Sequence, residues 1–291
     1  MEMHSRKGTL ADIERLVEIE ESAVSGGYYL YDNRHFYFDG ILNKGEMVVA
    51  LNEEEHPVGI GQYSILPDGS GWLECLRVEK QWQSQGAGKA IYRRYMALAE
   101  ETNAPSVAMF TGRKNLASKG LAEKHGFHLA AAYMGYDLAL PGAVKEIVTG
   151  FHLVVDEEEA VKLLTQAVAA EAKRAAETNG WGTFMAMNRT FFHYGEPLYR
   201  YLHRNNMVFT DGENVLVLGA RMLRARGLHV GFMAGDYDKC LAFAASATAA
   251  QGLEKLSIMF PPERADLHDL VTGKGYAQTG ELIVMELDRR K

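Results

Sequence analysis

"QSQGAGKAIY", residues 83–92, is the stretch on which the reading of this chain turns. Gly86 and Gly88 stand one residue apart, Lys89 follows, and an amphipathic run begins. Ala87, Ala90, Ile91, Tyr95 and Leu98 form one stripe at helical spacing, with Lys89, Arg93 and Glu100 opposite. The pattern predicts a helix that ends at Asn103-Ala104-Pro105. WLECLRV (72–78), just ahead, reads as a strand. A glycine-rich turn between strand and helix lets successive backbone N–H groups converge on an anion, and the positive end of the helix dipole adds to the attraction.

Working outward, EMVVAL (46–51) and VGIGQYSIL (58–66) are further strand-like runs, separated by turns containing His56-Pro57 and Pro67-Asp68-Gly69. Such turns belong to antiparallel connections. Toward the N-terminus, Thr9 and Asp12 resemble a capping box, followed by Leu10, Ile13, Leu16 and Val17 at helical spacing. Beyond the central helix, SVAMFT (106–111) is a nearly continuous apolar run suited to a strand covered on both faces. A helix is expected from Asn115 to Lys124, with Gly126 supplying its left-handed stop, and residues 128–140 return to strand character. The order is helix, antiparallel strands, helix, strand, helix, strand. Pro141-Gly142 opens an expected linker, 141–150.

Three kinds of phosphate-binding turn compete for residues 83–92. The G-x-x-x-x-G-K-[ST] loop needs a hydroxyl after its lysine to hold magnesium; here Gln83 replaces the first glycine and Ala90 follows Lys89. A dinucleotide fingerprint needs a third glycine, where this chain has Ile91. The third fits: Gln83-x-x-Gly86-x-Gly88, after a strand and opening a helix, resembles the acetyl-coenzyme A loop of the GNAT superfamily of N-acetyltransferases. "LRVEKQWQSQGAGKAIY", the following apolar strand, Asn115 and "LAEKHGF" (121–127) come in that family's order and spacing. The resemblance spans about residues 8–140 and is strongest from 72 to 127.

The resemblance implies a set of roles. Backbone groups around Leu76 and Val78 would pair with the pantetheine arm. The amides of Gln85, Gly86, Ala87, Gly88 and Lys89, with Gln83 and Ser84 nearby, would cradle the pyrophosphate, and Asn115 would contact the pantetheine arm or merely cap its helix. An ammonium like that of lysine titrates near ~10.4 in water, so acetyl transfer calls for a base. Glu74 is the best placed carboxylate for it, and a backbone N–H near Leu76 would hold the oxyanion. One departure matters: where the family commonly has a tyrosine as general acid, this chain has Ala122. Tyr133 and Tyr136 could donate that proton or simply pack. Tyr28, Tyr29 and Tyr31, with Asp32 and Tyr37, could line the acceptor pocket, offering aromatic faces to a cation, or pack on the sheet. Cys75, flanked by apolar residues, reads as buried and inert.

The second half reads as a degraded copy of the first. At one shared offset Gly86 falls on Gly235, VAMF (107–110) on LSIM (256–259), KHGF (124–127) on GKGY (273–276), and helix 88–102 on 237–251. A period this long means whole domains rather than a solenoid. In the copy Gly88 becomes Tyr237, flanked by Asp236 and Asp238, whose carboxylates would repel a pyrophosphate. The expected fold class is therefore α/β (α+β): two tandem acyl-coenzyme A N-acyltransferase-like domains, 1–140 and 151–291, each a mixed, largely antiparallel twisted sheet flanked by helices.

Composition bounds the rest. The chain has 291 residues, 47% hydrophobic and 24% charged, with 31 basic against 38 acidic side chains and a net charge of −7. That argues against a nucleic-acid surface and suits cationic small molecules. No apolar run spans a bilayer and MEMHSRKG lacks a signal-type apolar stretch, so a cytoplasmic setting without membrane attachment is expected. Cys75 and Cys240 match no metal or redox spacing, and no metal is expected. The function expected is transfer of acetyl from acetyl-coenzyme A to a primary amine of a small molecule by direct attack. Two other readings stay open, a non-catalytic acyl-coenzyme A sensor and a peptide N-terminal acetyltransferase. Monomer and homo-oligomer are both compatible with the sequence.

Overall fold

A computed structural model describes residues 3–23, 45–140, 150–176, 180, 182–222 and 224–290. The expected linker at 141–149 and the aromatic segment holding Tyr28, Tyr29, Tyr31, Asp32 and Tyr37 lie outside the described residues. The chain forms two compact units. One runs to Leu129 and includes the residues from Met285 onward; the other comprises Ala130–Val284.

In the first unit, β1 (His4–Lys7), β2 (Glu46–Leu51), β3 (Pro57–Ile65) and β4 (Gly71–Val78) are neighbours in that order and pair antiparallel. β5 (Ser106–Gly112) joins β4 in parallel. The last residues of the chain run beside β5, where Arg289 N–H donates to the Pro105 carbonyl (2.9 Å). Every residue of β2 is buried because helices cover both faces. On one side α1 (Ile13–Ala23) sets Leu16, Val17 and Ile19 against Met47, Val49 and Ile60. On the other, α2 (Ala87–Glu101) brings Tyr95 against Tyr63, ring centres 6.5 Å apart. The expected capping box is present ahead of α1, with the Thr9 N–H (2.7 Å) and hydroxyl (2.8 Å) donating to Asp12 Oδ2. A short 3-10 turn, Leu10–Asp12, comes first. After β5, α3 (Leu116–Glu123) completes this part of the chain.

The second unit contains β6 (His128–Ala139) from Ala130 on, β7 (His152–Leu153), α4 (Glu157–Ala176), a hairpin of β8 (Phe184–Met187) and β9 (Thr190–His193), and α5 (Glu196–Arg204). There follow β10 (Val208–Thr210), β11 (Val215–Gly219), β12 (Gly227–Ala234), α6 (Tyr237–Ala250), β13 (Lys255–Phe260), α7 (Ala265–Gly273) and β14 (Ala277–Asp288), whose residues to Val284 belong here. Its strand order is β14-β6-β13-β12-β11-β10-β7, with β12 and β13 parallel.

Some elements of the two units are spaced at constant offsets along the chain. β6 and β14 are offset by one value at both ends (277 − 128 = 149), while β4 and β12 share a larger one (227 − 71 = 156). Between strand and helix the second unit has two residues, Gly235 and Asp236, where the first has eight, 79–86.

His229 on β12 is 1% exposed, and neither ring nitrogen has a hydrogen-bond partner among the described residues. Burial pushes its pKa from 6.5 down to about 4, with Asp137 opposing the shift and Lys255 reinforcing it. The unfolded chain takes up this proton near 6.5 and the folded chain only near 4, so the unfolded state binds more protons in between. Stability is whole above that window and falls by about 3 kcal/mol as the pH drops through it. Urea melts at about pH 7 and pH 4 should record the loss, and His229→Leu should remove most of it.

Candidate active site

The site of the first unit begins with a defect in β4. Ile60 pairs with Arg77 and Gln62 with Glu74, so Cys75 and Leu76 together oppose Gly61 alone. Cys75 takes up the extra residue at φ +56°, a conformation costly for a side-chain-bearing residue. The consequence appears on the other edge: β4 pairs with β5 only from Gly71 to Leu73, and its remaining residues run on without that partner. Leu76 and Val78 lie on this diverging stretch, half-buried. The Arg77 guanidinium donates to the Leu76 carbonyl (2.9 Å), and Gln83 Nε2 to that of Val78 (3.2 Å).

From Val78 the chain makes a 3-10 turn, Lys80–Trp82, and enters the glycine turn. Gln83, Ser84 and Gln85 are exposed; Ser84 is left-handed at φ +62°, and Gln85 Nε2 returns to the Gln81 carbonyl (2.7 Å). Gly86 caps α2 at φ +108°, which glycine alone adopts readily. The helical ladder starts with Ala90 N–H on the Gly86 carbonyl (3.0 Å), leaving the N–H groups of Ala87, Gly88 and Lys89 ahead of it. Gly88 also lets α3 approach, since a Cβ there would stand 3.1 Å from Leu121 Cδ2. Asn115 caps α3, its side chain accepting the Ser118 N–H (3.2 Å).

Glu74 is 6% exposed, and its Oε1 accepts the Ser64 hydroxyl at 2.5 Å. Across the ladder stands Gln62, whose Nε2 donates to the Tyr63 carbonyl (2.9 Å) while its Oε1 is buried without a partner among the described residues. An unfilled acceptor of this kind costs about 1–3 kcal/mol unless a donor arrives. Trp72, opposite Ser64, stacks on Phe110 at 6.2 Å and 8°. Gln62 and Ser64 were not singled out by the sequence reading. Their only signal is two polar residues at strand period on the buried face that Ile60 defines.

The remaining candidates separate. Ala122 is fully buried, so the family's proton donor has no counterpart there. Tyr133 and Tyr136 pack inside the second unit: the Tyr133 hydroxyl donates to the Phe184 carbonyl (2.8 Å) and accepts its N–H (3.0 Å), and Tyr136 Oη meets His268 Nδ1 (2.6 Å). Cys75 is half-buried rather than buried. Among the described residues no group of three His, Cys, Asp or Glu side chains could hold a metal, and no helix is long and apolar enough to cross a membrane.

A strand that leaves its parallel neighbour, a loop of open amides and a buried carboxylate are arranged in one chain order, and residues 13–127 match the acetyltransferase (GNAT) family. Over this segment the chain is similar to GNAT-type acyltransferases. No curated protein matches the chain. Among solved structures the GNAT-like fold extends over nearly the whole length. A protein from Pyrococcus horikoshii is similar at 17% identity and TM-score 0.63, covering 98% of this chain and 89% of that one. A GCN5-related N-acetyltransferase from Sphaerobacter thermophilus follows at 11% identity and TM-score 0.62, with 99% and 96% covered. A tandem GNAT protein from the clavulanic acid biosynthesis pathway stands at 10% identity and TM-score 0.60, with 99% and 98% covered.

In the second unit the turn between β12 and α6 is closed from within. Only Gly235 and Asp236 separate β12 from α6. Asp236 N–H donates to Asn214 Oδ1 (2.6 Å), and Asp236 Oδ1 accepts the Lys239 N–H (3.1 Å).

Proposed function

We propose that the protein transfers acetyl from acetyl-coenzyme A to a primary amine of a small molecule by direct attack, with the first unit as the active one. The observation that carries this is the run of open N–H groups at Ala87–Lys89 next to the diverging end of β4, on which Glu74 stands. The pyrophosphate rests on those amides, with Gln83, Ser84, Gln85 and Gly86 around it, and the pantetheine arm lies along Leu76 and Val78 after displacing the Gln83 side chain, reaching toward Asn115. Glu74 takes the ammonium proton, held in place by Ser64. Gln62 Oε1 gives an amine N–H an acceptor that no donor among the described residues fills. The tyrosines at 28, 29 and 31 line the acceptor side. Thiol release from acetyl-coenzyme A, assayed against a panel of small primary amines, tests the reading; coenzyme binding with no turnover on any amine would reject it in favour of an acyl-coenzyme A sensor, the alternative that the buried Ala122 favours.

The two halves, 1–140 and 151–291, are proposed to be tandem copies of one domain joined by 141–150, the second without coenzyme. The shortened β12–α6 turn and its self-satisfied amides support this. Because attack is direct, Cys75→Ala should leave kcat within about twofold of the parent; an acyl-enzyme route through that thiol would lose most of its turnover.

A further inference from the structure

The second unit holds a cavity of about 70 Å³, lined at one end by Glu171, Tyr237 and Arg264 and elsewhere by Tyr194, Phe232 and Phe260. It lies where β12 and β13 part company, since their pairing ends at Val230 and Ile258. By the repeat offsets, Tyr237 occupies the position of Gly88 and Arg264 that of Asn115. On the proposed tandem reading, the space that serves the coenzyme in one copy is built in the other with different chemistry.

That chemistry is a chain of charges whose inner members, Glu171 and Arg264, are buried. Glu171 is 6% exposed; its Oε2 accepts the Tyr237 hydroxyl, and Arg174 Nη1 is 3.6 Å from Oε1. Arg264, 8% exposed, donates Nε (2.8 Å) and Nη2 (2.7 Å) to the Asp266 carboxylate and Nη2 also to Tyr237 Oη (3.1 Å). Its Nη1 has no hydrogen-bond partner among the described residues. Of these charged groups only Glu171 and Arg264 line the cavity, one of each sign, so its wall is electrically neutral. A ligand of one sign would leave a buried charge uncompensated, and an apolar one would leave Arg264 Nη1 unfilled and Glu171 Oε1 with only the half-exposed Arg174 beside it. A zwitterion satisfies both. One phenol oxygen bridges Arg264 and Glu171, which puts them within reach of an ammonium and a carboxylate on the same carbon. The volume is on the order of five waters, which limits the side chain to a few atoms.

We propose that this cavity binds a small α-amino acid, its carboxylate on Arg264 Nη1, its ammonium on Glu171 Oε1 and its side chain against Phe232 and Phe260. Saturation-transfer NMR on the full chain, with glycine, L-alanine, L-serine, acetate and methylammonium as probes, tests it. Transfer to the amino acids but not to acetate or methylammonium is expected, with at least ~tenfold weaker affinity in Arg264→Lys and Glu171→Gln. Absence of transfer to every amino acid in the parent protein, equal transfer to the single-charge probes, or affinity unchanged in both variants would overturn the proposal. The parent panel decides even if a variant fails to fold. Coenzyme A binding, followed separately, reports on the first unit alone, and displacement of the amino acid by coenzyme A would place it in the wrong site.

Discussion

Gly86→Asp is expected to weaken acetyl-coenzyme A binding by at least ~100-fold while the protein stays folded. A carboxylate at the start of α2 would stand within a few ångströms of the pyrophosphate, where like charges repel by about 1–4 kcal/mol at the dielectric of a protein surface. It would also compete for the N–H groups of Ala87, Gly88 and Lys89. A hundredfold loss corresponds to about 2.7 kcal/mol, well inside that range. A new Cβ at Gly86 meets no atom within 4 Å, so the cost to the fold is confined to the backbone at φ +108°. Calorimetric titration with coenzyme A, beside circular dichroism of the variant, measures both quantities. An unchanged dissociation constant in a folded variant would remove the coenzyme from this turn.

Glu74→Gln should lower kcat on the responsive amine by about 10²–10³, with affinity for acetyl-coenzyme A retained. The amide keeps the shape and the contact with Ser64 but cannot accept a proton. Ser64→Ala should cost less, about tenfold, because it frees the carboxylate without removing it. The ordering of the two variants is the informative result. Equal and small losses would mean that Glu74 is a buried structural acid and that the amine loses its proton elsewhere, for instance to solvent before binding.

Much of the frame could be read residue by residue. EMVVAL became β2 with the same bounds, SVAMFT became β5 with one residue more, and the run after Gly86 became α2. These are local patterns: apolar periodicity, capping residues and a glycine whose φ no other residue accepts cheaply. The candidate site was legible where it is made of backbone, in the loop from Gln83 to Lys89, and dim where it is made of side chains. Gln62 and Ser64 sit in an otherwise ordinary strand, and only the pairing of β3 with β4 brings them to Glu74.

The sequence by itself determined the strand-turn-helix at 72–101 and the likeness of 13–127 to the acetyltransferase (GNAT) family, because each rests on neighbours along the chain. The tertiary structure decided the rest. The bulge at Cys75, the early parting of β4 from β5, the withdrawal of Tyr133 and Tyr136 into the second unit and the assignment of the final strand to both units depend on partners far away in sequence. Nothing local distinguishes those partners, since strand register and burial are chosen by the energy of the assembled sheet and not by any single segment.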